Sequence, residues 1–594
     1  MAVENLITEH IDIWTSAVKT RSTSGRGSSK KLELYGVKKL RELILELAVR
    51  GKLVPQDPND EPAAVLLERI AAEKAQLVKE KKIKKQKSLE QVSKGEELFD
   101  TPTGWAWTRI SEIAEISPRN STTDDDAEVS FVPMPLITTN YDGSHGSEKR
   151  IWKEIKKGYT HFQDGDIALA KITPCFENSK AAVFSGLEGG VGAGTTELHV
   201  ARPLSDCINP LFVLLYLKAP IFLKVGETKM TGSAGQKRVP KDFFSENPLP
   251  FPPSKEQHRI VAKVDELMTL CDQLEQQTEA SVEAHEVLVT TLLETLTNSA
   301  DANELMQNWA RISEHFDTLF TTEESIDQLK QTILQLAVMG KLVPQDPSDE
   351  PAAELLKRIA EEKAQLVKEK KIKKEKVLPP ISEDEKPFTL PSGWEWCRVG
   401  SISNLKGGFA FKSKDFVTNS IYQVIRMGNI RPDNLRLSES PAYIPQQIAE
   451  EAKDYKLVSG DILLTMTGTK GKRDYLYSLL INEKDIVSNQ LFLNQRLCNI
   501  QPIFVAPSFV NMVIKADIVL DAIFTKSTGT ANQANIGMDA IKNWVLPVAP
   551  LAEQHRINDM VNELMDVCDH IKTRLVDLQA TQLKLTDTII EQAV

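Results

Sequence analysis

The octapeptide Gly51-Lys52-Leu53-Val54-Pro55-Gln56-Asp57-Pro58 returns unchanged as Gly340-Lys341-Leu342-Val343-Pro344-Gln345-Asp346-Pro347, 289 positions later in a chain of 594. The correspondence runs without a gap over residues 40–87 and 329–376 and includes Glu61-Pro62-Ala63-Ala64 against Glu350-Pro351-Ala352-Ala353. Two copies half a chain apart are not a solenoid, which stacks several repeats of about 20–50 residues each. They restrict the chain to a duplicated half-molecule with an approximate internal two-fold.

Other landmarks repeat in the same order. Pro102-Thr103-Gly104-Trp105-Ala106-Trp107 is matched by Pro391-Ser392-Gly393-Trp394-Glu395-Trp396. A Pro–Gly turn followed by alternating Trp predicts a strand leading into a new domain, with the aromatics in its core. Residues 111–250 and 400–548 then diverge, keeping scattered correspondences such as Gly165-Asp166-Ile167 with Gly460-Asp461-Ile462, and Thr231-Gly232 with Thr528-Gly529. Both regions are rich in Gly, Pro, Asn and short β-branched runs and read as mixed α/β domains with many loops. The halves reconverge at Glu256-Gln257-His258-Arg259-Ile260 and Glu553-Gln554-His555-Arg556-Ile557.

Between these landmarks the pattern is helical. Leu6, Ile7, His10, Ile11, Trp14 and Val18 predict a first helix. Residues 21–31 are basic, contain no apolar side chain and have no counterpart in the second half. They read as a solvated linker, with an arm touching phosphates as the functional alternative. Leu40, Leu43, Ile44 and Leu47 predict a helix over residues 32–49, closed by a left-handed cap at Gly51 and stopped by Pro55 and Pro58. Asp60 is expected to cap the next helix, which carries Val65, Leu66, Ile70, Ala71 and Leu77 and ends in a lysine run at 79–87, read as a solvated helix end. Ser254 and Gln257 predict a capping box opening a helix of about 40 residues, some ~60 Å long. Its stripe Ile260, Val264, Leu267, Cys271, Leu274 has a twin in Ile557, Val561, Leu564, Cys568, Ile571, continuing to Leu575 and Leu578. Steps of four and three predict a coiled-coil seam in which the two stripes pack on each other, with both cysteines as seam residues.

The fold class expected is therefore mixed α/β (α+β): two globular domains separated by long coiled-coil helices, with a pseudo-two-fold duplication. The predicted divisions are a helical repeat region at 1–100, a first globular domain at 101–253, a central helical region at 254–388, a second globular domain at 389–551 and a terminal helix at 552–594. No apolar run approaches the roughly 20 residues needed to cross a bilayer, and the N-terminus lacks a secretory layout. The six cysteines show no close pairing, so neither a zinc site nor a disulfide framework is suggested. A cytoplasmic location is expected. The net charge of −11 counts against a nucleic-acid binder unless basic residues gather locally or a partner supplies charge.

Motifs that carry chemistry are missing. Gly468-Thr469-Lys470-Gly471-Lys472 has the composition of a phosphate loop without its spacing. No His-Glu-x-x-His, Cys-x-x-Cys or Asn/Asp-Pro-Pro-Phe/Tyr motif occurs. His258 and His555 stand at matching helix starts with no paired carboxylate or serine, which favours capping or packing over catalysis. No catalytic residue and no metal ligand is assigned.

The twinned Gly-Lys-Leu-Val-Pro blocks, the Pro-x-Gly-Trp-x-Trp domain starts, the Gly-Asp-Ile turns and the Glu-Gln-His-Arg-Ile helix starts together resemble the specificity subunits of Type I restriction–modification systems, in particular the enteric IB-type branch. The resemblance implies two target recognition domains, each reading one half of a split double-stranded DNA target, with the coiled coil as a ruler between half-sites about one helical turn, roughly 34 Å, apart. It implies two modification subunits and the restriction–translocase subunits as partners, and no membrane. S-adenosylmethionine, ATP and Mg2+ would be used by those partners, with no cofactor in this chain, which would be non-catalytic.

Loops that join basic and amide side chains are the candidates for DNA contact, since Arg, Lys, Asn and Gln pair with base edges and Ser and Thr serve phosphates. In the first domain these are Lys171, Thr173, Lys229, Thr231, Ser233, Gln236, Lys237 and Arg238. In the second they are Lys470, Lys472, Arg473, Lys526, Thr528, Thr530, Gln533 and Asn535. Two rival readings compete: a helical scaffold with two protein-binding domains, which the acidic total favours, and a self-sufficient nuclease or methyltransferase, which the missing motifs disfavour.

Overall fold

The structure, a computed structural model, describes residues 3–22, 30–85, 89–121, 123–233, 235–300, 302–432, 434–529 and 533–594. The chain divides into two compact units, residues 1–282 with 578–594 and residues 283–577. Each unit contains a helical arm, one α/β domain, the start of one long helix and the end of the other.

In the first unit the arm opens with two short helices, Val3–Glu9 and Ile11–Ser16, in place of the single helix expected; His10 breaks them with φ near −121°. The basic stretch departs from the linker prediction at both ends. Lys19–Ser22 and Lys30–Glu33 pair as an antiparallel hairpin, and residues 23–29 lie outside the described residues. Leu32 therefore belongs to a strand, and the next helix runs Tyr35–Val49. Its stripe of Leu40, Leu43, Ile44 and Leu47 is buried with Trp14 in the core of the unit. Gly51 ends it at φ +67°, with Lys52 N donating to Leu47 O at 2.9 Å and Gly51 N to Ala48 O at 3.3 Å. These are the paired bonds of a left-handed cap. The following helix, Ala63–Lys79, is capped by Pro62 without a side-chain bond. Asp60 does not cap it: its carboxylate accepts from Arg259 Nη2 at 2.8 Å. The lysines at 79, 81, 82, 84 and 85 are exposed.

The second arm repeats this plan with helices Ala302–Glu314, Phe316–Leu319, Glu323–Val338 and Ala352–Lys368, and Gly340 caps at φ +68°.

Each α/β domain is closed by one antiparallel strand pair, Ala106–Arg109 with Pro248–Phe251 in the first and Glu395–Arg398 with Val545–Val548 in the second. Inside the first domain one four-stranded sheet has the order Ala114–Ile116, Leu198–Pro203, Ile167–Ala170, Ala181–Val183. The second domain keeps the same order with Ser403–Gly407, Leu497–Pro502, Ile462–Thr465 and Ser478–Leu480. The central strand is buried along its whole length in both, which explains its continuous apolar run. A second sheet differs. In the first domain it has four strands, including the parallel pair Glu128–Val132 and Val191–Gly194. In the second, among the described residues, the parallel pair Tyr422–Ile425 and Gln490–Leu493 forms its counterpart.

The long helices are Ser254–Thr297 and Leu551–Ala593. Their equivalent stripes are buried in two different cores, where one shared seam is expected from the sequence. Ile260, Val264, Leu267 and Cys271 are buried in the first unit's core with Leu40 and Ile44, and Ile589 and Ile590 from the end of the other long helix pack against that core. Ile557, Val561, Cys568 and Leu575 are buried in the second unit's core with Val289, Leu293 and Leu296. Heptad spacing thus encodes burial against an arm and the far end of the opposite helix. Leu578 falls outside the stripe at 54% exposure. Burial pushes the Cys271 and Cys568 thiols up to about 11, as suits packed, unreactive side chains. Among the described residues no helix is long and apolar enough to cross a membrane.

Candidate nucleic-acid interface

The repeated motifs converge on a latch in each unit. Trp105 Nε1 donates to Glu256 Oε1 at 3.0 Å, and Gln56 Nε2 of the octapeptide donates to the same oxygen at 3.2 Å. In the second unit Trp394 and Gln345 donate to Glu553 at 3.1 and 3.2 Å. Arg259 and Arg556 pair with Asp60 and Asp349 at 2.8 and 2.7 Å. Gln257 makes no capping box. Its Nε2 donates to Pro252 O and its Oε1 accepts from Asn209 N, tying the long helix to the domain helix Pro210–Lys218. Gln554 does the same between Ala549 O and Ala506 N. His258 Nδ1 bonds to Ser254 O one turn back at 2.9 Å. Burial raises the Glu256 and Glu553 carboxyls, and the donors around them oppose that rise. Arm, long helix and domain are therefore joined by polar contacts that are the same in both units.

Against this common frame each α/β domain presents a loop platform. In the first, the segment after the buried strand runs beside residues 229–239. Val239 N donates to Lys171 O at 2.8 Å and Thr173 N to Lys237 O at 3.0 Å, while Thr231 and Arg238 exchange backbone bonds at 3.0 and 2.8 Å. The two stretches proposed from sequence, 171–173 and 229–238, are thus one surface. Gly232, at φ +127°, turns it; a Cβ there would stand 2.8 Å from Gln236 O. His199 Nε2 donates to Val239 O at 2.9 Å from beneath, and burial lowers its pKa, which favours the neutral ring.

The second platform is built alike. Ile536 N donates to Met466 O at 2.9 Å, and Thr528 and Asn535 exchange backbone bonds at 3.0 and 2.7 Å. Thr467–Gly468 pairs with Ala534–Asn535. The loop holding Lys470, Lys472 and Arg473 extends from the first of these strands, with Thr469 N bonded to Asp474 Oδ1 at 2.7 Å.

The candidate side chains differ in their freedom. Lys229, Lys237, Lys470, Lys472 and Lys526 are exposed, as are Thr231, Ser233, Gln236, Gln533 and Asn535. Lys171 is half-buried at the edge. The Thr173 hydroxyl is shielded from solvent with no partner among the described residues, so it does not present itself to a phosphate. Thr528 Oγ1 bonds to Asn535 O at 3.2 Å. Arg238 is held by Glu197 through two bonds of 2.9 Å, which keep that carboxylate ionised below its ordinary range. Arg473 is paired with Asp517 and Asp521 and lies over the Phe524 ring. Thr530 lies outside the described residues. Sequence reasoning missed Glu197, Asp517 and Asp521, because each is far along the chain from the arginine it meets.

A duplicated frame carrying two non-equivalent loop platforms defines a protein that presents two different binding surfaces through one shared mounting. Comparison with known proteins gives this class its content. The Type I restriction modification DNA specificity domain matches residues 102–284 and 391–579. The EcoAI specificity subunit of Escherichia coli is 54% identical over 597 residues, and the EcoEI specificity subunit of Escherichia coli 53% identical over 599, each covering all of both chains. A chain from a solved structure of a type I R-M system, described in terms of complex assembly and conformational transition, shares the fold at TM-score 0.50 and 16% identity, covering 83% of this chain and 98% of that one. The chain belongs to the specificity subunits of Type I restriction–modification systems, the components that give such systems their DNA sequence specificity.

Proposed function

We propose that each loop platform reads one half of a bipartite double-stranded DNA target, and that the arms and long helices dock two modification subunits and fix the spacing between half-sites. The observation that supports this best is the identity of the two latches beside the difference of the two platforms. Partners related by a two-fold need identical mounts, and the halves of a split target need different readers. Methyl transfer to adenine from S-adenosylmethionine, and ATP- and Mg2+-dependent translocation and cleavage, are assigned to the partner subunits, while this chain selects the site in the bacterial cytoplasm.

The test is a gel shift of the chain with its modification partner on duplexes carrying the sequence methylated in a host that expresses both. Specific retardation of that duplex over scrambled competitors is expected; equal retardation of all duplexes would refute the assignment. Incubated alone with DNA and S-adenosylmethionine, the chain should transfer no methyl group.

The exposed lysines supply a second measurement. Each lysine that neutralises a phosphate contributes about 0.9 to the slope of log affinity against log salt. Lys237→Ala should therefore lower the slope by about one, and Lys470→Ala with Lys472→Ala by about two, while the preferred sequence stays the same. An unchanged slope would remove these loops from the phosphate contacts.

A further inference from the structure

We propose that Arg238 and Asn535 occupy equivalent base-reading positions, Arg238 engaging a guanine in one half-site and Asn535 an adenine in the other. The proposal rests on the two platforms being DNA readers, as argued above, and adds which bases two of their side chains meet.

Equivalence comes from the backbone. Arg238 exchanges both backbone bonds with Thr231, and Asn535 exchanges both with Thr528. Arg238 also bridges to Ile172, and Asn535 to Thr467, on the segment that leaves the central buried strand. The next residue in each copy, Val239 or Ile536, is buried and bonds back to Lys171 O or Met466 O. Side chains alternate along extended backbone, so burial of Val239 and Ile536 turns 238 and 535 outward. Both are exposed, Arg238 with 44% of its side chain in solvent.

At this shared position the side chains are the two with the most selective base pairings. Arginine makes paired bonds to guanine O6 and N7, and asparagine to adenine N6 and N7. The environment fits each choice. Arg238 Nε and Nη2 donate to Glu197 at 2.9 Å each, and Nη1 donates to Gln236 O at 3.1 Å. One hydrogen remains on each terminal nitrogen, which suits a two-acceptor base edge. Glu197 thus acts as a positioning residue that fixes the guanidinium plane. In the second platform the residue at the matching backbone place is Arg496: Lys171 N donates to Glu197 O at 2.9 Å, and Met466 N to Arg496 O at 3.1 Å. A carboxylate there would have no guanidinium to orient. The Asn535 amide has no protein partner among the described residues and keeps both its donor and its acceptor for a base.

The experiment uses the full chain in complex with its modification subunits. The target is taken from the methylated sequence in an expressing host, and binding is measured on duplexes altered one base pair at a time. Arg238→Ala should lower discrimination roughly 5- to 150-fold at a single G·C position in one half-site, leaving the other positions unchanged. Asn535→Ala should do the same at a single A·T position in the other half-site. Arg238→Lys keeps the charge without the fork and should lose discrimination at that G·C position while holding affinity. Glu197→Gln should weaken discrimination at the Arg238 position alone; a merely structural role would lower affinity evenly across the panel. Uniform losses for Arg238→Ala and Asn535→Ala, or both effects in one half-site, would overturn the proposal while leaving the two-reader assignment intact. Lack of any discrimination by the unaltered complex would overturn that assignment as well.

Discussion

Arg202→Ala should cost the first unit about 3–5 kcal/mol, the range for breaking a buried ion pair and stranding one charge. The stranded group is Asp166, the landmark of the Gly-Asp turn. Its carboxylate is fully buried, accepts from Arg202 Nε and Nη2 at 2.9 Å each, and from Gln163 N at 2.8 Å. Arg202 also donates to Asn120 Oδ1, so its loss removes a tie to the loop at Asn120 as well. The twin turn gives an internal control. Asp461 accepts from Val458 N at 3.0 Å and from Gln501 Nε2 at 2.9 Å. Gln501→Ala removes one bond to a charged group and leaves the carboxylate with its backbone donor, so a smaller loss of about 1.5–3 kcal/mol is expected.

The pH dependence separates the two further. Burial already raises the Asp166 carboxyl above its ordinary 3.8, and Arg202 opposes that rise. An acid whose folded pKa is raised penalises the fold above that pKa, and the penalty disappears as pH falls toward the unfolded value. Without Arg202 the penalty grows. The deficit of Arg202→Ala relative to the unaltered chain should therefore shrink as pH drops from neutrality through the raised folded pKa. Urea unfolding with hydrogen-exchange readout of each unit checks this; equal losses at both turns, or a deficit that does not narrow on acidification, would contradict it.

The same turn shows how much of the molecule was legible in advance. The repeats announced the duplication, and the Gly-Asp-Ile pattern announced a buried strand after a turn, because these depend on local order and period. Whether the partner of the aspartate is Arg202 or Gln501 could not be read, since the partner comes from a strand 36 residues away in one domain and 40 in the other. The covering of the heptad stripe is hidden from the sequence for a related reason. Ile260, Val264, Leu267 and Cys271 have heptad spacing, but spacing specifies a buried face and not what covers it; the core they join holds the arm helix Tyr35–Val49 and the end of the other long helix. Gln257 has the spacing of half a capping box, yet its amide reaches Asn209, a contact invisible without the fold. At the platforms the loops were found by composition, and their merging into one surface followed from strand pairing. The acidic tethers of Arg238 and Arg473 lay too far along the chain to be suspected. The basic stretch has the apolar-free composition of a linker, yet its two ends pair with each other as strands.

Gly51→Ala and Gly340→Ala are expected to destabilise their own units by about 2–4 kcal/mol each, a left-handed backbone penalty plus overpacking. The two sites are nearly superimposable in what they would meet. A Cβ at Gly51 would stand 2.5 Å from Pro102 Cγ and 2.9 Å from Trp105 Cζ2; one at Gly340 would stand 2.5 Å from Pro391 Cγ and 3.0 Å from Trp394 Cζ2. Neither ring can yield freely. Trp105 and Trp394 are buried and bonded to Glu256 and Glu553, and each packs edge-on against a domain phenylalanine, Phe212 or Phe509. The repeated octapeptide is thus fixed by two contacts at once: its glycine ends the arm helix where only a bare Cα fits, and its glutamine reaches the carboxylate that holds the tryptophan. Loss of either glycine should loosen the joint between arm and domain in that unit, seen as faster hydrogen exchange in Tyr35–Val49 or in Glu323–Val338 and not in its twin. The sequence methylated by the assembled complex should stay the same in both variants, because the side-chain bonds of the block's glutamine run to its own glycine and valine carbonyls and to Glu256 or Glu553, at the mount and not at the platform. A variant that shifted the target, or exchange that rose equally in both arm helices, would show that the octapeptide does more than mount the readers.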